Sequence, residues 1–105
     1  MDGYAGDILY VNLTRGETRK EPLDPELAKR LVGGLGINYE LAYAFITHGI
    51  DPLSPENPII LGAGLLVGTN APGAPKLFAT TRFPLKGAIA TGVAGGGLGH
   101  TLKLV

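Results

Sequence analysis

The chain has 105 residues, of which 17 are Gly and 8 are Pro, with no Cys and no Trp, and its nine basic and nine acidic side chains cancel. Gly plus Pro near a quarter approaches low-complexity composition, but 45% apolar residues and a mean hydropathy of +0.22 oppose disorder, which needs few apolar residues and unbalanced charge. Zero Cys excludes disulfides, thiolate zinc sites, a Cys nucleophile and any iron–sulfur cluster held by this chain alone.

Balanced charge without a basic cluster leaves no electrostatic footprint for nucleic acid. Residues 1–4 lack the basic and apolar regions of a signal peptide. The longest uncharged run, residues 59–68, is about half a membrane span and is interrupted by Gly. The expectation is a single cytoplasmic domain with no membrane partner. Its core must be thin, because each Gly contributes no side chain and costs backbone entropy.

Residues 8–13 are strong β-formers, residues 14–17 supply turn chemistry, and residues 18–22 return antiparallel until Pro22 ends the pairing for want of an N–H. Asp24-Pro25-Glu26 starts a helix, with Asp as N-cap, Pro at the first helical position and Glu near the positive end of the dipole. Leu27 and Leu31 share a face of it, and residues 33–36, Gly-Gly-Leu-Gly, end it. A second helix follows with Ile37, Leu41 and Phe45 as its apolar face. Gly49 stands where a left-handed C-cap belongs.

Residues 51–58 carry three prolines and form a stiff connector. A buried strand begins at residues 59–61, a loop spans 69–75, and residues 77–81 form the next strand. Residues 83–87 make a tight turn, residues 88–91 a short strand, and residues 92–99 a glycine-rich loop. Residues 100–105 open a helix that stops without a cap. Strands, then helices, then strands read as α+β.

The loop at residues 92–99, Gly-Val-Ala-Gly-Gly-Gly-Leu-Gly, lies between a strand and a helix, a setting in which glycine backbone can approach a phosphate. It matches neither G-x-G-x-x-G, since His100 stands at the last position, nor the P-loop pattern. A turn packed by glycines fits it equally well. Residues 68–76 form a second small-residue loop in which Lys76 offers a point charge to a phosphate, or else is merely solvated. Gly33, Gly34 and Gly36 suit a cofactor approach or, more simply, a helix end and reversal. His48 fits a helix C-terminus. His100 flanks the glycine loop but has no placed catalytic partner. No side-chain set with metal-ligand spacing occurs, and no catalytic residue is assigned.

Taken together, residues 6–14 (Gly-Asp-Ile-Leu-Tyr-Val-Asn-Leu-Thr) with Gly16-Glu17, residues 31–36, the Ile-Asp-Pro-Leu-Ser-Pro-Glu-Asn-Pro run at 50–58, residues 64–69 with Ala71-Pro72-Gly73, residues 84–87 and residues 95–103 resemble the N-terminal region of the tungstopterin aldehyde:ferredoxin oxidoreductase family. The likeness covers nearly the whole chain, in order. It implies a β-sheet-based N-terminal domain, here residues 1–105 as about its first half, lying beneath two pterin dithiolenes that hold tungsten or molybdenum. It places the cysteines of a 4Fe–4S cluster in later domains, absent from this chain.

By that resemblance Lys76 falls where Arg often reaches the pterin or its phosphate; Lys keeps the charge and loses the bidentate fork. Val93, Ala94, Gly95 and Gly96 fall on a segment often reading Asn-Ser-Gly-Gly that contacts the pterin. There the Val93 main-chain carbonyl is the counterpart of a ligand to a bridging magnesium, while the Asn and Ser side chains are missing. The implied whole enzyme oxidises aldehydes to carboxylic acids and passes electrons to ferredoxin, and a related branch reduces aromatic acyl thioesters. The chain alone is expected to be inactive and to dock on the remaining domains. A self-associating assembly module without cofactor is the main alternative, and a small nucleotide-binding domain a lesser one.

Overall fold

The computed structural model describes residues 3–85 and 87–105. Residues 1 and 2, and Lys86 of the predicted turn, lie outside the described residues. The element order is β1 (Asp7–Asn12), β2 (Glu17–Pro22), α1 (Pro25–Leu31), α2 (Leu35–Phe45), β3 (Ile60–Ala63), β4 (Leu77–Arg82), β5 (Ile89–Ala94) and α3 (Leu98–Leu104). β1 and β2 form a two-stranded antiparallel sheet; β3, β4 and β5 form an antiparallel sheet with β4 in the centre. The architecture is α+β, as expected.

The hairpin is built as the sequence predicts. Asn12 Oδ1 accepts from the N–H groups of Thr14 and Arg15 at 3.1 and 3.2 Å, and Gly16 takes φ +66°. Pro22 pairs with Asp7 at the last rung. Tyr10 packs edge-on against Phe45, ring centres 5.7 Å apart, with the Arg19 guanidinium 4.3 Å over the Tyr10 ring, so hairpin and α2 are joined by aromatic and cation–π contact. Leu9, Val11 and Leu13 remain exposed.

α1 starts where Asp24 Oδ1 accepts from Glu26 N at 3.0 Å, with Pro25 in the first turn. Its end corrects the expectation. The reversal is made by Val32, at φ +66° and ψ −65°, with Gly33 N donating to Leu31 O at 2.8 Å in a γ-turn. Leu35 and Gly36 then belong to α2.

The packed face of α2 also differs. Asn38 and Ala42 are fully buried, whereas Ile37 and Leu41 are half-buried and Phe45 is exposed. The reason is distance: α2 lies close over β3 and β4, where only Gly34, Asn38 and Ala42 fit. Gly49 has φ +80° but sits four residues past the helix, in a separate turn.

The connector at 51–58 is clipped to the sheet by Asn57 Nδ2, which donates to Pro52 O and Arg82 O, and by Thr81 Oγ1, which donates to Pro58 O. β3 is not the buried strand expected at 59–61. It begins at Ile60, with Ile59 and Leu61 exposed, because it is an edge strand. The glycine loop is also shorter than expected. Gly92, Val93 and Ala94 pair with Ala79, Phe78 and Leu77, which carries β5 to Ala94 and leaves only residues 95–97 before α3. Leu23, Ala28, Ala42, Val67 and Leu77 are the buried apolar residues, a core as thin as the composition implied.

Candidate functional site

A cleft of about 480 Å³ opens between two backbone segments. Residues 32–35, the α1–α2 junction, line one side. Residues 64–67, the turn after β3, line the other, and Ala74, Lys76 and Phe78 complete it. The segments touch because glycines let them. A Cβ on Gly33 would lie 3.4 Å from Leu65 N, and one on Gly34, at φ +52°, would lie 3.1 Å from the Phe78 ring. The lining is almost wholly apolar, and among the described residues Lys76 is its single cation.

Lys76 is exposed, and among the described residues no carboxylate pairs with it. Its Nζ lies 3.7 Å from the point where a Cβ on Gly95 would stand, so these two predicted residues are neighbours across the loop. Val93 pairs with Phe78, which lines the cleft, so the edge strand β5 carries the predicted segment up to its margin. Val93 and Ala94 are strand residues, not loop residues, and Val93 is exposed. Gly96 has φ +91° and open space where a Cβ would go.

His100 lies outside the cleft on α3, its ring 3.4 Å from a Cβ built on Gly68, and His48 is exposed beyond α2. α3 has seven residues and no side-chain cap at Gly97, so the phosphate-at-helix-start setting is not built here.

Sequence reasoning missed three groups beside the cleft. Val32 lines it in a strained conformation. Tyr4 hydroxyl contacts Val32 O and, at 3.2 Å, Ala28 O. Lys103 Nζ donates to Gly3 O, Leu65 O and Gly64 O at 2.5, 2.9 and 3.4 Å, and burial lowers its pKa below the usual 10.5. The Tyr4 and Lys103 contacts have no local sequence signal, since each links positions far apart in the chain.

Among the described residues no group of three His, Cys, Asp or Glu side chains could hold a metal ion. Glycine backbone, apolar walls and one unpaired ammonium suit a flat, anionic ligand that brings its own reactive centre. Among the described residues no helix is long and apolar enough to cross a membrane.

Residues 8–105 match the family profile described as "Aldehyde ferredoxin oxidoreductase, N-terminal domain". Over 103 residues the chain is 40% identical to the tungsten-containing aldehyde ferredoxin oxidoreductase of Pyrococcus furiosus and 38% identical to that of Thermococcus kodakarensis, covering 98% of this chain and 17% of each relative. A solved structure, the active site complex BamBC of benzoyl coenzyme A reductase with 1,5-dienoyl-CoA, superimposes with a TM-score of 0.93 at 33% identity. That match covers 97% of this chain and 16% of the other. The chain belongs to the aldehyde ferredoxin oxidoreductase family, in its N-terminal domain, and spans about a sixth of the length of the relatives it matches.

Proposed function

We propose that this chain is the cofactor-binding portion of a tungsten-pterin oxidoreductase that oxidises aldehydes to carboxylic acids with electrons passed to ferredoxin. The observation that carries the reading is the joining of Lys76 and Gly95 at an apolar, glycine-lined cleft. The residues fit the organic, anionic part of a bis-pterin dithiolene. Gly33 and Gly34 line the cleft with backbone that carries no side chain, and among the described residues Lys76 has no carboxylate partner. When bound, the tungsten centre supplies the two-electron exchange with substrate.

Lys76 holds a phosphate or pterin oxygen through a charge-assisted hydrogen bond, and the backbone at Gly95 and Gly96 admits the ring system. Val93 and Ala94 contribute backbone and apolar contact, and the Val93 carbonyl is the proposed magnesium ligand. The chain supplies no acid or base to the reaction. The 4Fe–4S cluster and the substrate residues belong to the remaining domains.

Those domains are also the proposed partners. Among the described residues, large apolar side chains that are exposed, such as Leu9, Val11, Leu13 and Leu61, outnumber the three that are buried, Leu23, Val67 and Leu77. Such surface calls for a cover. Self-association is the competing cover, and light scattering on the isolated chain separates the two: a well-folded oligomer indifferent to cofactor favours a module.

The deciding experiment supplies tungstate during expression of the intact protein and measures tungsten and released pterin after purification. Both are expected to co-purify with wild type, to fall roughly tenfold or more in Lys76→Met, and to be largely kept in Lys76→Arg. Absence of both from wild type, or full retention in Lys76→Met, overturns the proposal. The likeness to the benzoyl coenzyme A reductase complex makes acyl thioesters the second substrate class to assay.

A further inference from the structure

Residues 3 and 4 reach both sides of the cleft. On the α1–α2 side the Tyr4 hydroxyl meets Val32 O and Ala28 O. One residue earlier, Gly3 O accepts from Lys103 Nζ, and the same ammonium donates to Leu65 O and Gly64 O on the opposite side. The three N–H donors of a lysine are matched by three backbone carbonyls, which offsets the cost of removing its charge from water. Gly3 suits its place, with φ +84° and a Cβ that would fall 3.2 Å from the backbone oxygen of Leu65. The peptide plane joining residues 3 and 4 is stiff, so slack on one side is carried to the other. Val32, held at positive φ, is the kind of strained residue that persists only where its surroundings over-determine it.

We propose that Gly3, Tyr4 and Lys103 form a clasp that fixes the separation of the cleft's two sides, making Tyr4 and Lys103 positioning residues for the anion that Lys76 receives. The occupant rests on the function proposed above; the clasp itself does not.

Amide hydrogen exchange on the intact protein, with no cofactor added, tests it. One reporter is Gly33 N–H, bonded to Leu31 O, and the other is Val67 N–H, bonded to Gly64 O. Tyr4→Phe touches one side only and Lys103→Met the other. A clasp requires each to speed exchange at both reporters, roughly fivefold or more. The double variant is then no faster than either single, because one broken link opens the whole chain of bonds. Lys103→Arg restores protection, and exchange in β4 stays unchanged throughout. Effects confined to the substituted side, effects that multiply in the double variant, or faster exchange in β4 overturn the clasp. Tungsten retention governed by Lys76 is a separate readout, so either idea can fail while the other stands.

Discussion

Asn38 occupies the space that a side chain at Gly62 would need: a Cβ built on Gly62 would lie 2.1 Å from Asn38 Oδ1. The Asn38 amide nitrogen in turn donates into the sheet, to Phe78 O at 3.0 Å and Thr80 Oγ1 at 3.1 Å, with Ile60 O at 3.3 Å. Thr80 is fully buried and passes the line of hydrogen bonds on to Thr91 Oγ1 at 2.8 Å. Asn38 therefore ties α2 to β3 and β4 directly, and Thr80 carries the link on to β5.

Gly62→Ala is expected to destabilise the fold by about 2–4 kcal/mol through overpacking and lost hydrogen bonds. Asn38→Ala alone should cost a similar amount. The double variant should lose clearly less than the sum, because the alanine methyl enters the space Asn38 leaves. A double-mutant cycle in urea checks this; additive losses would show that the two residues do not compete for one volume.

Val32→Gly should raise stability by about 1 kcal/mol. Relief of a β-branched residue at φ +66° is worth on the order of 1–3 kcal/mol, from which the entropy of a more flexible unfolded chain is subtracted. The Val32 side chain is 54% exposed, so little packing is lost. A lower urea midpoint would contradict the strain argument.

Asp24→Ala removes the acceptor for Glu26 N and should cost about 1 kcal/mol, whereas Asp24→Asn should cost far less. Thermal melts of the three proteins side by side distinguish a lost cap from a lost charge. If Asp24→Asn falls as far as Asp24→Ala, the macrodipole and not the cap is responsible.

Lys103 gives the chain an alkaline dependence. Burial lowers its folded-state pKa below 10.5, so the unfolded chain binds more protons across the window just beneath that value, and stability rises with pH there. The neutral amine keeps two N–H groups for Gly3 O and Leu65 O. Unfolding curves collected on approach to the usual lysine value should climb more steeply for wild type than for Lys103→Met, which carries no titrating group. Parallel slopes would remove the linkage.

Much of the fold could be read from local chemistry. The hairpin, the Asp24-Pro25 helix start and the order of the later strands depend on turn residues, caps and β-formers that act within a few positions. The site was legible only in part. Lys76 and Gly95 could be named by family resemblance, yet their approach depends on how the 68–76 loop folds over the end of β5. Residues 92–94 looked like loop because glycine and small side chains carry no strand signal, and pairing with Leu77–Arg82 overrides that weakness.

The face of α2 shows why. Ile37, Leu41 and Phe45 recur at helical spacing, and so do Gly34, Asn38 and Ala42 one row away. Hydrophobicity favours the first row, but close approach to β3 and β4 selects the second, since only small side chains and one hydrogen-bonding amide fit between backbones.

A chain a quarter Gly and Pro, without Cys, with balanced charge and few large buried side chains was determined by the sequence alone. So were its α+β class and its family. Where the glycines act was decided by the tertiary structure. Gly33 and Gly34 give up their side chains so that the backbone can approach residues 64 and 65, some thirty positions away, and Gly62 gives up its own to admit the Asn38 amide. Gly3, Tyr4 and Lys103 tie together the two sides of the cleft that results. Such contacts depend on distances between segments remote in the chain, and no local pattern of residues encodes them.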